Sequence, residues 1–273
     1  MMSPAFCKHV VAAIVLVTLA TATLAIITPA QAQQTLDTQA LDTKALAASL
    51  QSTDREISDR MRDDARRPVE VLAFLGLQPG MTALDVYAAG GYYTFVLSRA
   101  VGDSGVVYAQ NSPAASRYDE DRTDMSQGQA LDTKIARGGL HNVVRLDRPI
   151  RDNGLADNSV DFILVSQILH DYYNRSPGAA LELMTELHRI LKPGGIVGVI
   201  DHTGVSGNNN QRLHRMLKSQ AIDVVTRSGF IVEAESDLLA NTGDNPRRSI
   251  FDPVLDRGTD QFLLRLRKTQ SGS

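Results

Sequence analysis

Leu187-His188-Arg189-Ile190-Leu191-Lys192-Pro193-Gly194-Gly195-Ile196-Val197 decides the fold, because it joins the end of one kind of element to the start of another. Leu181, Met184, Leu187 and Leu191 recur at helical spacing, and Lys192-Pro193-Gly194-Gly195 stops that helix with residues that do not continue it. Ile196 to Ile200 then reads as a strand apolar on both faces. The same alternation extends in both directions. Upstream, Ala83 to Val86, Val106 to Gln110, Val143 to Leu146 and Asp161 to Ser166 read as strands, and Tyr93 to Ala100 as a helix. Downstream, Leu213, Met216, Leu217, Val224 and Val225 suit a helix, and Phe230 to Ala234 and Phe262 to Leu266 are two more strands. Helices between strands predict a mostly parallel sheet covered on both faces.

The first strand runs into a turn of small residues, Ala83-Leu84-Asp85-Val86-Tyr87-Ala88-Ala89-Gly90-Gly91, where a ligand can approach the backbone and the following helix start. Asp157-Asn158-Ser159-Val160-Asp161-Phe162-Ile163-Leu164 leads into the fourth strand. In this order, with the Leu187 to Val197 stretch, these segments resemble the signatures of class I S-adenosylmethionine-dependent methyltransferases. Those signatures are an acid followed by G-x-G-x-G, the approach to strand four, and an L-K-P-G-G turn into strand five. The resemblance covers roughly residues 68 to 267. It implies an α/β fold with a Rossmann-like, seven-stranded, mostly parallel sheet, helices on both faces and an antiparallel last strand. It also implies S-adenosyl-L-methionine as cofactor and methyl transfer to a small-molecule acceptor. Tyr87 and Ala89 stand where the family has its first two glycines, and Gly91 supplies the third. Further on, Leu213-His214-Arg215, Ser236-Asp237-Leu238-Leu239, Ser249-Ile250-Phe251-Asp252-Pro253 and Thr259-Asp260-Gln261-Phe262 resemble a group of exported bacterial predicted methyltransferases. In that group an acid follows the His-Arg pair two residues on, where this chain has Leu217.

The resemblance assigns the amino-acid end of the cofactor to Asp85, Ala88, Gly90 and Gly91. It assigns the ribose to Asn111, an uncharged amide at a position the family gives to an acid. The adenine-binding acid follows strand three, at Asp147 or Asp152. After strand four come Gln167, His170, Asp171, Tyr172 and Tyr173, at the sheet edge where open α/β folds bind ligands. A histidine beside an acid can take a proton from an acceptor, so His170, Asp171 and Tyr172 are the candidate catalytic residues. The alternative is a buried His170 that caps a helix and packs. Asp201 and His202 leave strand five at the same edge. His170, Asp171, His202 and His214 lack H-x-x-x-H or H-x-x-E-H spacing, so no metal site is predicted. Leu239 to Asp260 reads as a lid or as a solvated excursion.

Residues 1–32 have the layout of a secretory signal: Lys8 and His9, an apolar run from Val10 to Ile27, and Ala30-Gln31-Ala32 as the cleavage site. The rival reading is an uncleaved membrane anchor. Either one predicts a periplasmic or secreted protein. Residues 33–53, with Leu-Asp-Thr-x-Ala repeated at Leu36 and Leu41, read as a flexible tether, and 54–273 as the methyltransferase-like domain. Cys7, the one cysteine, leaves with the signal, so no disulfide framework is available. Removing Lys8 as well leaves 27 basic against 31 acidic residues, a net charge of −4 that argues against a nucleic-acid partner. Tyr87, Ala89, Asn111 and Leu217 motivate a second reading, an exported binding protein that keeps the fold without catalysis. A nicotinamide-dependent oxidoreductase is disfavoured because G-x-G-x-x-G is absent.

Overall fold

The apolar runs fold as β1 (Thr82–Val86), β2 (Val106–Asn111), β3 (Val143–Asp147), β4 (Val160–Ser166), β5 (Leu191–His202), β6 (Phe230–Ser236) and β7 (Gln261–Lys268). This is a computed structural model, and it describes residues 40–113 and 125–269. The strands form one sheet in the order β3-β2-β1-β4-β5-β7-β6. Pairs from β3 through β5 are parallel, and β7 lies antiparallel between β5 and β6. This is the predicted Rossmann-like fold.

Before β1 come α1 (Thr43–Leu50), α2 (Ile57–Arg60), α3 (Asp63–Arg66) and α4 (Pro68–Leu75). The later helices are α5 (Tyr92–Val101), α6 (Gln127–Gly138), α7 (Leu169–Arg175), α8 (Pro177–Ile190), α9 (Asn210–Leu213) and α10 (Lys218–Arg227). The alternation of strand side chains divides the core. Leu84, Val86, Ile163, Val165, Val197 and Val199 meet α8 and α10 on one face. Ala83, Phe162, Leu164, Ile196 and Ile200 meet α4 and α5 on the other. Gly198 is needed on that second face, since a Cβ there would come within 2.4 Å of Leu75 Cδ1 on α4.

Four expectations change. The proposed tether is ordered in its second half: Asp42 caps α1 by accepting from the Lys44 and Ala45 amides, and Leu46 and Leu50, one turn apart, are buried. Residues 33–39 and the signal at 1–32 lie outside the described residues. The Lys192-Pro193-Gly194-Gly195 run falls within β5, where pairing with β4 jumps from Val160↔Leu191 to Phe162↔Ile196 and Gly194 has φ 78°. Leu191 therefore belongs to the strand, and the buried stripe of α8 is Ala180, Leu183, Met184, Leu187 and Ile190. The helix expected over Leu213 to Val225 is broken at His214, whose φ is 53°, into α9 and α10.

Candidate functional site

A cavity of about 330 Å³ opens at the carboxyl ends of β1 and β4, with Asp85, Ala88, Arg66, Gln167, His170 and His202 among its lining. Strand order reverses between β1 and β4, and such a reversal leaves a crevice outside the strand ends. Small-molecule sites span on the order of 300–1,000 Å³.

The turn after β1 holds three left-handed residues: Tyr87 at φ 55°, Ala89 at 49° and Gly91 at 85°. These are the three positions at which the resemblance places glycine. A left-handed conformation costs a residue with a Cβ roughly 1–2 kcal/mol, so something must hold Tyr87 and Ala89 in place. The end of β2 does. The Gln110 side-chain oxygen accepts from the Tyr87 amide at 3.1 Å and the Gln110 carbonyl from the Ala88 amide at 2.8 Å. Asn111 Oδ1 accepts from the Ala89 amide at 2.9 Å, while its Nδ2 donates to the Ala89 carbonyl at 3.1 Å.

Asn111 is thus buried with both ends of its amide on Ala89, which corrects the expectation that it faces a ribose. It clamps the turn instead. Asn111→Asp removes the donor to Ala89 and sets a carboxylate against that carbonyl. The variant is expected to lose about 1–3 kcal/mol of stability in denaturant unfolding. Unchanged stability together with tighter cofactor binding would return Asn111 to the ribose. Gly91 also acts through packing, since a Cβ there would lie 2.7 Å from Leu131 Cδ1 on α6 and not in the cavity. Neither adenine candidate reaches the cavity lining: Asp147 pairs with Arg145, and Asp152 lies 3.1 Å from Arg148 Nη2.

Asp85 is buried on the cavity wall and accepts from Thr94 Oγ1 at 2.7 Å. Burial pushes its pKa up to about 7, against the opposing pull of Thr94 and Arg66. Arg66 enters the same cavity from α3. Its guanidinium lies 4.4 Å from the Tyr92 ring centroid and donates to Gln167 Oε1 at 3.1 Å, without a carboxylate partner among the described residues. The charged stretch 54–67 gave no sign of this role, because nothing in its pattern separates Arg66 from Arg62 or Arg67.

Behind the lining residue His170, Asp201 at the end of β5 accepts from the His170 amide at 2.8 Å and contacts His170 Nδ1 at 2.6 Å. His170 Nε2 lies 3.2 Å from Asp171 Oδ1, and the same oxygen lies 3.1 Å from His214 Nδ1. Burial would lower the His170 pKa, but Asp201 and Asp171 outweigh it and raise the pKa to about 10. His170 is therefore held as the imidazolium between two carboxylates, and is not a resting proton acceptor. His202 is the opposite case: burial drives its pKa down to about 3, and Nδ1 meets Thr259 Oγ1 at 2.8 Å. Tyr172 is half-buried against the apolar layer with Arg175 over its ring, outside the cavity lining. The long connection before β7 does contribute, through Ile250 and Phe251.

The sequence profile of a methyltransferase domain matches residues 84–199. Demethylmenaquinone methyltransferase of Geobacillus stearothermophilus is 28% identical over 127 residues, which are 46% of this chain and 47% of that protein. Its counterpart in Staphylococcus aureus strain MRSA252 is 29% identical over the same length, covering 46% and 45%. The chain spans about half the length of these curated relatives. Among solved structures, an S-adenosylmethionine-dependent methyltransferase from Aquifex aeolicus superposes with a TM-score of 0.56 at 22% identity, over 84% of this chain and 99% of that one. The cyclase SpnF gives 0.55 at 17%, over 78% and 81%. Residues 84–199 thus match a methyltransferase domain, and signatures and sheet order agree in making the chain similar to class I S-adenosylmethionine-dependent methyltransferases, with the fold of that superfamily.

Proposed function

We propose that the cavity binds S-adenosylmethionine with its amino-acid end between Arg66 and Asp85, and that the chain transfers the methyl group to a small-molecule acceptor on the His170 side. One observation carries this reading: a cation and a carboxylate face one cavity beside a turn that keeps the three left-handed positions of a glycine motif. The residues fit the cofactor there, since Arg66 matches its carboxylate and Asp85 its ammonium. They offer no charged ribose contact at the end of β2, where Asn111 is engaged with Ala89.

When bound, the cofactor supplies an electrophilic sulfonium methyl group. Arg66 and Asp85 orient the bound molecule, and the tyrosines at 92 and 93 close the cavity beside them. Asp171, kept ionised against the push of burial by its contacts with His170 and His214, faces the acceptor side of the cavity, and Asp201 holds His170 behind it. His202, which burial keeps neutral near pH 7, lines the cavity as an uncharged hydrogen-bonding group. Resemblance to enzymes named for methylating demethylmenaquinone supports a quinone ring, or its reduced and hydroxylated form, as the acceptor class. The layout of residues 1–32 supports action outside the cytoplasm, which N-terminal sequencing of protein from the native host tests.

Calorimetric titration of the purified chain with S-adenosylmethionine and S-adenosylhomocysteine, followed by transfer of labelled methyl to hydroxylated aromatic compounds, tests the function. Cofactor binding with labelled product supports it. Cofactor binding without turnover on any acceptor favours the binding-protein alternative, to which the missing ribose carboxylate also points. No binding of either compound rejects both uses of the cavity.

A further inference from the structure

We propose that His170, Asp171 and His214 form a binding site for one divalent transition-metal ion at the edge of the cavity. His170 and Asp171 open α7, and His214 ends α9, so the three meet only in the folded chain. This is why no spacing in the sequence announced them.

Three observations support a metal site over a chance cluster. The first is spacing. Metal bonds of about 2.0–2.2 Å at tetrahedral or octahedral angles separate neighbouring donor atoms by roughly 2.9–3.5 Å. His170 Nε2 and His214 Nδ1 lie 3.2 and 3.1 Å from one Asp171 oxygen, longer than the roughly 2.7–2.9 Å of charge-assisted hydrogen bonds. All three donor atoms fall within 4.8 Å of one another, so the two imidazoles close on each other when an ion binds, and the His214 side chain is 40% exposed.

The second is the support behind His170. Its Nδ1 is held at 2.6 Å by Asp201, a fully buried carboxylate that also accepts from the His170 and His202 amides. A carboxylate behind a histidine fixes the tautomer and ring direction that leave Nε2 for a metal. The ion takes the place of the proton on Nε2, which leaves to solvent. The third is chemistry and access. Two imidazoles and one carboxylate suit zinc, iron or cobalt better than magnesium or calcium, and such a three-donor set leaves further positions open. His170 and Asp171 line the cavity, so those positions face it. Phe251, from the long connection, meets His214 edge-to-face at 4.8 Å between centroids, beside the same cavity.

An ion held here can bind an acceptor oxygen and favour its ionised form. That role rests on the methyltransferase reading, whereas metal binding does not. The test uses the full chain without a polyhistidine tag, freed of metal by chelator and titrated with Zn²⁺ by calorimetry and with Co²⁺ by visible absorption. Expected are one ion per chain and cobalt bands of nitrogen and oxygen ligation. Asp171→Asn and His214→Ala, both at part-exposed positions, are each expected to weaken Zn²⁺ binding at least 10-fold. Equal affinity in wild type and both variants, or no binding by the wild type, overturns the site. Parallel titration with S-adenosylmethionine separates the two readings. Metal binding without cofactor binding rejects only the methyltransferase reading, and cofactor binding without metal binding rejects only this one.

Discussion

Asp85→Asn is expected to weaken S-adenosylmethionine binding roughly 10-fold to 150-fold at pH 8, and to abolish its pH dependence. Asp85 is buried, with Thr94 as its hydrogen-bonding partner and Arg66 as the nearby cation. A hydrogen bond to a charged group contributes about 1.5–3 kcal/mol, and the isosteric amide forfeits that while keeping the shape. The pH dependence follows from burial, which brings the unliganded Asp85 pKa to about 7. An ammonium group favours the carboxylate, so below pH 7 binding must expel a proton, and wild-type affinity should fall about tenfold per unit. Burial lowers the Arg66 pKa, but a guanidinium starts so high that it stays charged through this range, and the buried Tyr92 and Tyr93 stay neutral, leaving Asp85 as the group among them that changes. Stability has the opposite slope. Between the unfolded carboxyl pKa near 3.9 and the native value near 7, the native state keeps a proton that the unfolded state has released, so stability falls as pH rises through that window. Asp85→Asn should lack that fall. Calorimetry at several pH values on both proteins decides the matter, and equal affinity with equal slopes would place the cofactor elsewhere.

The legibility of this site in the sequence varied with the range of the interactions that make it. Strands were legible because burial on both faces leaves near-continuous runs such as Phe162 to Val165, whatever the neighbouring strand. Asp85 and the turn were legible because strand, bend and helix follow one another within a few residues. Asn111 was placed correctly at the end of β2, but its role was misread. What its amide meets depends on Ala89, across two strands, and no local pattern specifies that pair. The helix α6 carried an unread local signal: Ser126 and Gln129 cap it reciprocally, an S-x-x-Q pattern open to inspection. Arg66, by contrast, left no trace, because a cation aimed at a cavity and one aimed at water look alike in a charged stretch. The Leu213-His214-Arg215 triplet stands out in the sequence by resemblance alone, with no local pattern to give its physical role. Its left-handed His214 turns toward Asp171, and Arg215 is buried beneath it.

Arg215→Ala is expected to cost about 3–5 kcal/mol of folding stability, the largest loss anticipated for any single side chain outside the apolar core. Arg215 is fully buried and Asp244 is 2% exposed. The guanidinium donates to both Asp244 oxygens at 2.6 and 3.0 Å and to the carbonyls of Thr203 and Arg248 at 3.1 and 3.2 Å. Removing it leaves Asp244 with the Asp260 amide at 2.8 Å as its remaining hydrogen-bond donor among the described residues, a buried anion without a cation. Against a typical stability of 5–15 kcal/mol, such a loss is severe, and for a domain of this size it corresponds to roughly 2–4 °C of melting temperature per kcal/mol. The pair also fixes the long connection that carries Ile250 and Phe251 into the cavity, so the variant should lose the order of that wall before it unfolds. Arg215→Met combined with Asp244→Leu separates the causes. If the cost comes from the uncompensated charge, the double variant recovers most of the stability by burying apolar groups of similar volume. If it comes from the bonds to Thr203 and Arg248, which the double variant also lacks, stability stays low. A loss below 1 kcal/mol in Arg215→Ala, measured by denaturant unfolding, would show that the connection is held by other contacts.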